Sequence, residues 1–358
     1  MWKAKLSKFG FHFIFWGILI SQPLSAQVNV QKMDELLPAI LDSAKIPGIS
    51  IAVIDQGKMV YSSAFGRKEL RKESEISKQT IFEAASLTKP ITAFCAMKLV
   101  EMGKLDLDKP LYQYLEYPDA ASDQRYQLIT GRMVLSHKTG FPNWRKNRNS
   151  NKLEIKFDPD TKFGYSGEGF VYLQKVMEQI ERKSLELIAQ EFVFQPLQMH
   201  RSFLIFPETD DFAVGHNPKN EPNQKFMPKE ANAAYSLHTT AEDYSKFLLE
   251  LMYPSLIDSA FVSDMISQET LMDSKDPSLG WGLGLGINTT SLDQYIWHWG
   301  DNGTFRAFFI FSPKTEVGLV YFTNSQNGLS IVKRMVHLTF SDPEVMENWN
   351  EYKQFDDE

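Results

Sequence analysis

The stretch Ala84-Ala85-Ser86-Leu87-Thr88-Lys89-Pro90 holds a serine and a lysine three residues apart. Residues i and i+3 share one helix face, so the Ser86 hydroxyl and the Lys89 amine can meet in one pocket. The apolar run from Ile91 to Val100 predicts a buried helix behind them. Pro90 fixes its start, because proline is tolerated only in the first turn, where its missing N–H would have no partner. Ser86 is therefore expected at or beside the helix N-terminus, near unpaired N–H groups and the positive end of the dipole. Such a serine can attack a carbonyl carbon when a neighbouring base takes its proton. Ser-x-x-Lys is short, however, and serine at a helix start is also a common plain cap.

Three further stretches carry groups of the right kind. Tyr165-Ser166-Gly167 precedes an expected helix, His298-Trp299-Gly300 lies on an expected strand, and Leu135-Ser136-His137-Lys138-Thr139-Gly140-Phe141-Pro142 reads as a loop. Lys89 and Tyr165 are the candidates for moving the serine proton. A lysine acts as a base only when neutral, and bringing its pKa from about 10.4 to near 7 costs about 4–5 kcal/mol. Burial beside cations can supply that. Alternatively Lys89 stays charged and eases ionisation of Tyr165; the sequence leaves both open. The single cysteine, Cys95, lies in the apolar helix and reads as a buried, inert thiol. The histidines form no His-Glu-x-x-His or similar metal pattern, so neither a metal nor a cofactor is expected.

The elements that must position these groups follow from periodicity. Residues 28–44 have helical spacing, with Pro38 implying a late start or a kink. Ile49 to Ile54 and Met59 to Phe65 flank the turn Asp55-Gln56-Gly57-Lys58 and predict a β-hairpin. Helices are expected over 128–136, 170–180 and 184–194, and another opens at Thr240 with Asp243 as the acid of a capping box. The polar loop from Glu208 to Ala231 could form a lid or a wall of a cleft. Strands are expected over 280–287, 294–299, 304–311 and 317–323, and a helix over 328–338. The fold class is thus α+β: one antiparallel sheet, built from both ends of the chain and flanked by helices, with a mainly helical part inserted. The sheet part covers about 27–66 and 279–340, and the helical part about 67–278.

In kind and order, these segments resemble the class C β-lactamase family, with its related penicillin-binding carboxypeptidases, D-aminopeptidases and esterases. The resemblance runs from about Pro47 to Asn324 and includes Pro47-Gly48 and Gly282-Leu283-Gly284. It implies a β-lactamase/transpeptidase-like fold and an acyl-enzyme formed on Ser86, with Lys89 and Tyr165 moving the proton. It also implies an oxyanion hole from the backbone N–H groups of Ser86 and Asp301, each such donor being worth about 3–4 kcal/mol. His298 would steer a substrate carboxylate or polar group, Gly300 would leave room for substrate backbone, and Trp299 would offer an apolar wall. Lys138-Thr139-Gly140 spells the family's closing triplet but lies far too early, and reads as structural. Gly167 stands where an amide-binding asparagine is common, His298 replaces lysine, and Asp301 places an acid beside the oxyanion site. These departures fit esters and peptides better than β-lactams. The expected activity is hydrolysis of short acyl esters, D-amino-acid peptides or β-lactams. The alternatives are a true class C-type β-lactamase, or a catalytically silent protein that binds peptidoglycan fragments or a partner.

The whole chain supports an exported globular protein. It has 358 residues, 43% apolar and 23% charged, enough for a sizeable core. Lys3, Lys5 and Lys8 precede an apolar run from Phe9 to Ile20, and Leu24-Ser25-Ala26 resembles a cleavage site. Residues 1–26 thus read as a secretory signal, the alternative being an uncleaved anchor. The chain without them carries a formal charge of −10, which argues against a nucleic-acid partner. The hydrolase domain is expected over 27–345, followed by an acidic tail over 346–358. Secretion or a periplasmic location is expected, with no membrane insertion after cleavage. The oligomeric state is left open.

Overall fold

The computed structural model describes residues 30–147, 150 and 152–349. The expected signal segment and the last residues of the acidic tail lie outside the described residues. An eight-stranded antiparallel sheet forms the centre. Strands β1 (Gly48–Asp55) and β2 (Lys58–Gly66) make the expected hairpin. A short β3 (Phe82–Ala85) pairs with β4 (Leu237–Thr239) in a separate two-stranded sheet. The rest of the large sheet is β5 (Thr270–Asp273), β6 (Asp276–Trp281), β7 (Gly286–Thr289), β8 (Gln294–Asp301), β9 (Arg306–Ser312) and β10 (Val317–Thr323). Its order is β2-β1-β10-β9-β8-β7-β6-β5, so β1 pairs with β10 and joins the two ends of the chain.

The sheet is covered on both faces, which explains why its central strands are apolar at successive positions. On one face Ile49, Ile51, Phe308, Ile310 and Leu319 pack with α1 (Val30–Ser43), α8 (Val332–Thr339), Met346 and Trp349. Ordered packing therefore continues past residue 345 into the expected tail. Pro38 lies inside α1, which begins ahead of it and runs through it. On the other face Ala52, Ile54, Phe309, Val320 and Phe322 pack with α2 (Thr88–Glu101), α4 (Gly167–Glu181) and α6 (Ala241–Met252). Short helices α3 (Gly131–Leu135), α5 (Leu185–Ala189) and α7 (Ser259–Met265) complete this side. Helix α2 is buried almost all round, as a helix apolar on every face must be. Cys95 lies fully inside it, and burial pushes its thiol pKa up.

Three details differ from expectation. The strand expected over 280–287 is broken, because Gly284 (φ +79°) turns the chain between β6 and β7. A Cβ at Gly284 would lie 2.5 Å from that of Ala93, so this turn packs directly on α2. The sheet also begins earlier, at Thr270. At the start of α6 the Thr240 hydroxyl accepts the Asp243 N–H, but the Asp243 carboxylate serves the Arg201 N–H, the Ser202 hydroxyl and Lys246.

Candidate active site

Ser86 follows β3 on a strained turn. Ala85 has φ +50°, a left-handed conformation that costs a non-glycine residue roughly 1–3 kcal/mol unless the surroundings enforce it. They do. The Leu87 N–H bonds the Ala84 carbonyl at 3.1 Å, the Thr88 hydroxyl bonds the Ala85 carbonyl at 2.6 Å, and the Tyr244 hydroxyl bonds the Leu87 carbonyl at 3.0 Å. The Thr88 oxygen also accepts the Leu237 N–H at 2.9 Å, tying the turn to β4. Helix α2 starts at Thr88, so Ser86 stands just ahead of it and Lys89 lies in its first turn.

Lys89 is fully buried, with Nζ 3.1 Å from Ser86 Oγ and donating to the Ala234 carbonyl at 3.0 Å. It has no carboxylate partner among the described residues. Loss of hydration holds its pKa well below the usual lysine value. Nζ lies 4.6 Å from the Tyr165 ring centroid and 5.7 Å from that of Phe170. Such ring faces are worth about 0.5–2 kcal/mol to a cation, less than complete loss of hydration costs an ammonium. The neutral amine is therefore favoured. The amine is within hydrogen-bond reach of both the Ser86 hydroxyl and the Ala234 carbonyl.

Tyr165 borders the same space. Its ring lies 5.0 Å from Trp299 and 4.3 Å from His137, centroid to centroid. His137 has a structural duty that the sequence did not reveal: its Nδ1 accepts the Ser166 N–H at 3.0 Å. That bond fixes the backbone beside Tyr165 and places the His137 proton on Nε2. Burial and the nearness of Lys89 and His298 hold the His137 pKa well below its usual value. Thr139 and Gly140 are structural as expected. The Thr139 hydroxyl oxygen takes the Phe141 N–H, and Gly140 (φ +76°) leaves no room for a Cβ against the Phe157 carbonyl.

Three expected substrate contacts are placed differently. His298 is fully buried beneath Trp281 and Trp299 and does not line the cleft. Its Nδ1 lies 2.7 Å from the Trp299 carbonyl, and burial pushes its pKa down to about 3. Burial thus disfavours its charged form. At Gly300 the expected room for substrate is taken by protein, since a Cβ would lie 2.4 Å from the Ala84 carbonyl. That close approach of β8 to β3 brings Asp301 beside the Ser86 turn, and both residues line one cleft. Gly300→Ala should therefore separate the strands at a cost of roughly 1–3 kcal/mol. A lower melting temperature together with lower turnover is the expected outcome, measured by thermal melts and an ester assay. Gly167 begins α4, and a Cβ there would meet the Trp144 ring at 2.6 Å. An asparagine could not simply be restored at that position.

The cleft holds about 520 Å³ and is lined by Glu83, Ser86, Asn143, Trp144, Tyr165, Phe226, Tyr235, Trp299, Asp301, Asn302 and Gly303. Sequence reasoning missed Asn143, whose side-chain oxygen accepts the Gly167 N–H at 3.0 Å. It therefore places an amide beside the position where the resemblance expects one. Its loop is clamped to α4 by Arg145, which pairs with Glu168 and Asp119 at 2.7 and 2.6 Å. Glu83 was missed as well, although it stands three residues before Ser86. Phe226 comes from the loop over 208–231, which thus forms a wall of the cleft.

A family model described as Beta-lactamase matches residues 33–340. Protein flp of Staphylococcus aureus strain MW2 is 23% identical over 337 residues, covering 86% of this chain and 65% of that protein. The chain thus spans about two thirds of the length of such curated relatives. The mitochondrial serine beta-lactamase-like protein LACTB of Mus musculus is 31% identical over 118 residues, 33% of this chain and 21% of that one. Among solved structures, the octameric penicillin-binding protein homologue from Pyrococcus abyssi has TM-score 0.77 and 23% identity, covering 90% of this chain and 80% of its own. The D-alanine carboxypeptidase AmpC from Burkholderia cenocepacia has TM-score 0.73 and 17% identity, covering 86% and 98%. At these identities, the two structures show a common fold.

Proposed function

The chain belongs to the Beta-lactamase family, and from that premise we propose that it is a serine hydrolase that forms an acyl-enzyme through Ser86. One observation carries the reading: the Ser86 hydroxyl lies 3.1 Å from a fully buried amine that no carboxylate among the described residues pairs with. Lys89 takes the serine proton as Oγ attacks the carbonyl carbon. The backbone N–H groups of Ser86 and Asp301 receive the developing oxyanion. Tyr165, on the cleft wall, passes a proton to the leaving group and regains one from the Lys89 ammonium; water then hydrolyses the ester of Ser86, and one of its protons returns to the serine oxygen.

Short acyl esters are the preferred substrates and β-lactams are poor ones. Support comes from the burial of His298, whose charged form is disfavoured, and from Trp144, which fills the space beside Gly167. The test compares kcat/KM for p-nitrophenyl butyrate and a chromogenic cephalosporin, each normalised to its rate with hydroxide. The normalised ester value should be higher by about tenfold or more. Cephalosporin turnover near roughly 10⁷–10⁸ M⁻¹s⁻¹ with no ester hydrolysis would make the protein a true β-lactamase instead. The basic start, apolar run and small-residue site of residues 1–26 support export. No helix among the described residues is long and apolar enough to cross a membrane.

A further inference from the structure

Resting on that reading of Ser86, we infer that the cleft selects substrates by charge: it favours an acyl donor that carries an ammonium group and disfavours one that carries a carboxylate, with Glu83 as the specificity-determining residue. Glu83 and Asp301 both line the cleft, and no lysine or arginine does so among the described residues. The cations that could offset them stand behind. Lys225 reaches Glu83 Oε1 at 3.4 Å from inside an aromatic box, with ring centroids of Phe305, Phe206 and Phe212 at 4.8, 5.2 and 5.6 Å. Its side chain is only 6% exposed. Arg306, also buried, holds Asp301 at 2.5 Å. Asp301 is the more open of the two carboxylates, with 34% of its side chain exposed; Glu83 is 5% exposed, as buried as Lys225, but it lines the cleft and neither Lys225 nor Arg306 does.

The other observation is the wall around Glu83. Trp144 and Tyr235 meet edge to face at 5.4 Å, and Phe226 lies 6.0 Å from Tyr235. Aromatic faces beside a carboxylate are the chemistry that recognises ammonium groups, quaternary ones included. Glu83 is held in place without being saturated. Its Oε2 accepts the Asn302 amide at 3.0 Å, and Oε1 has only the long contact to Lys225, while a carboxylate offers about four acceptor positions. A substrate carboxylate would meet two like charges, and His298, the residue expected to welcome it, is buried.

The experiment uses three p-nitrophenyl esters of equal chain length: hexanoate, the monoester of adipate, and 6-(trimethylammonio)hexanoate. The expected kcat/KM order is cationic, then neutral, then anionic, with roughly tenfold or more between the extremes, narrowing at high ionic strength. Glu83→Gln should shrink the ratio of cationic to neutral ester. Because that ratio is taken within one preparation, loss of folded protein does not disturb it. An anionic ester hydrolysed as fast as the neutral one overturns the inference, as does a cationic ester without advantage, and Ser86 still acylates in both cases. If no ester is hydrolysed and Ser86 takes no acyl label, the proposed function fails, and this inference with it.

Discussion

Lys89→Met is expected to lower ester turnover about 10²–10⁴-fold and, at neutral pH, to raise the melting temperature. The two effects have one cause. Lys89 is fully buried and its pKa is held down by desolvation. The unfolded chain binds a proton there that the folded chain does not, so folding with lysine is penalised below the unfolded lysine pKa. Methionine fills similar volume and carries no such penalty. The loss against it is the hydrogen bond to the Ala234 carbonyl, worth about 1–3 kcal/mol for a buried acceptor left unpaired. The sign can be checked by pH. As pH rises toward the ordinary lysine value both states hold a neutral amine, and the advantage of the variant over wild type disappears. The wild-type kcat/KM should correspondingly rise with pH through the lowered Lys89 pKa. Equal turnover in the variant would remove Lys89 from the mechanism, and an unchanged or lower melting temperature would contradict its burial as a neutral amine.

Ser86→Ala is expected to reduce turnover by roughly 10⁴–10⁶ without loss of the fold. The residues that hold the turn are Leu87, Thr88 and Tyr244, and none of their bonds uses the serine hydroxyl. Lys89 keeps the Ala234 carbonyl as an acceptor. The double variant Ser86→Ala, Lys89→Met should be no slower than Ser86→Ala alone, because a base without a nucleophile contributes little. Additive losses measured by steady-state kinetics would show that the two residues act separately.

What was legible in the sequence followed periodicity and proline. Pro90 located the start of α2, and β-branched and aromatic runs located β1, β2, β8, β9 and β10. The glycine turn at Gly284 was not legible as a break, because its cause is close packing on Ala93 in a distant helix. The pairing of β3 with β4 depends on residues about 150 positions apart, and neither strand is long enough to signal itself. The Ser86 and Lys89 pair was visible because it is local. Asn143 and Glu83 were not, because their places on the cleft wall come from tertiary partners, Gly167 and Lys225. His298 and Gly300 were seen as residues but given the wrong surroundings. Strand spacing tells which face a side chain takes, and it does not tell whether protein already covers that face.

The central claim is that Ser86 alone is acylated. Intact mass spectrometry of wild-type protein treated with a fluorophosphonate should show one adduct per chain, mapped by peptide analysis to Ser86. Ser86→Ala should show none, while its far-UV circular dichroism matches wild type. Stoichiometric labelling of Ser86→Ala, or a wild-type adduct on another residue, would contradict the account.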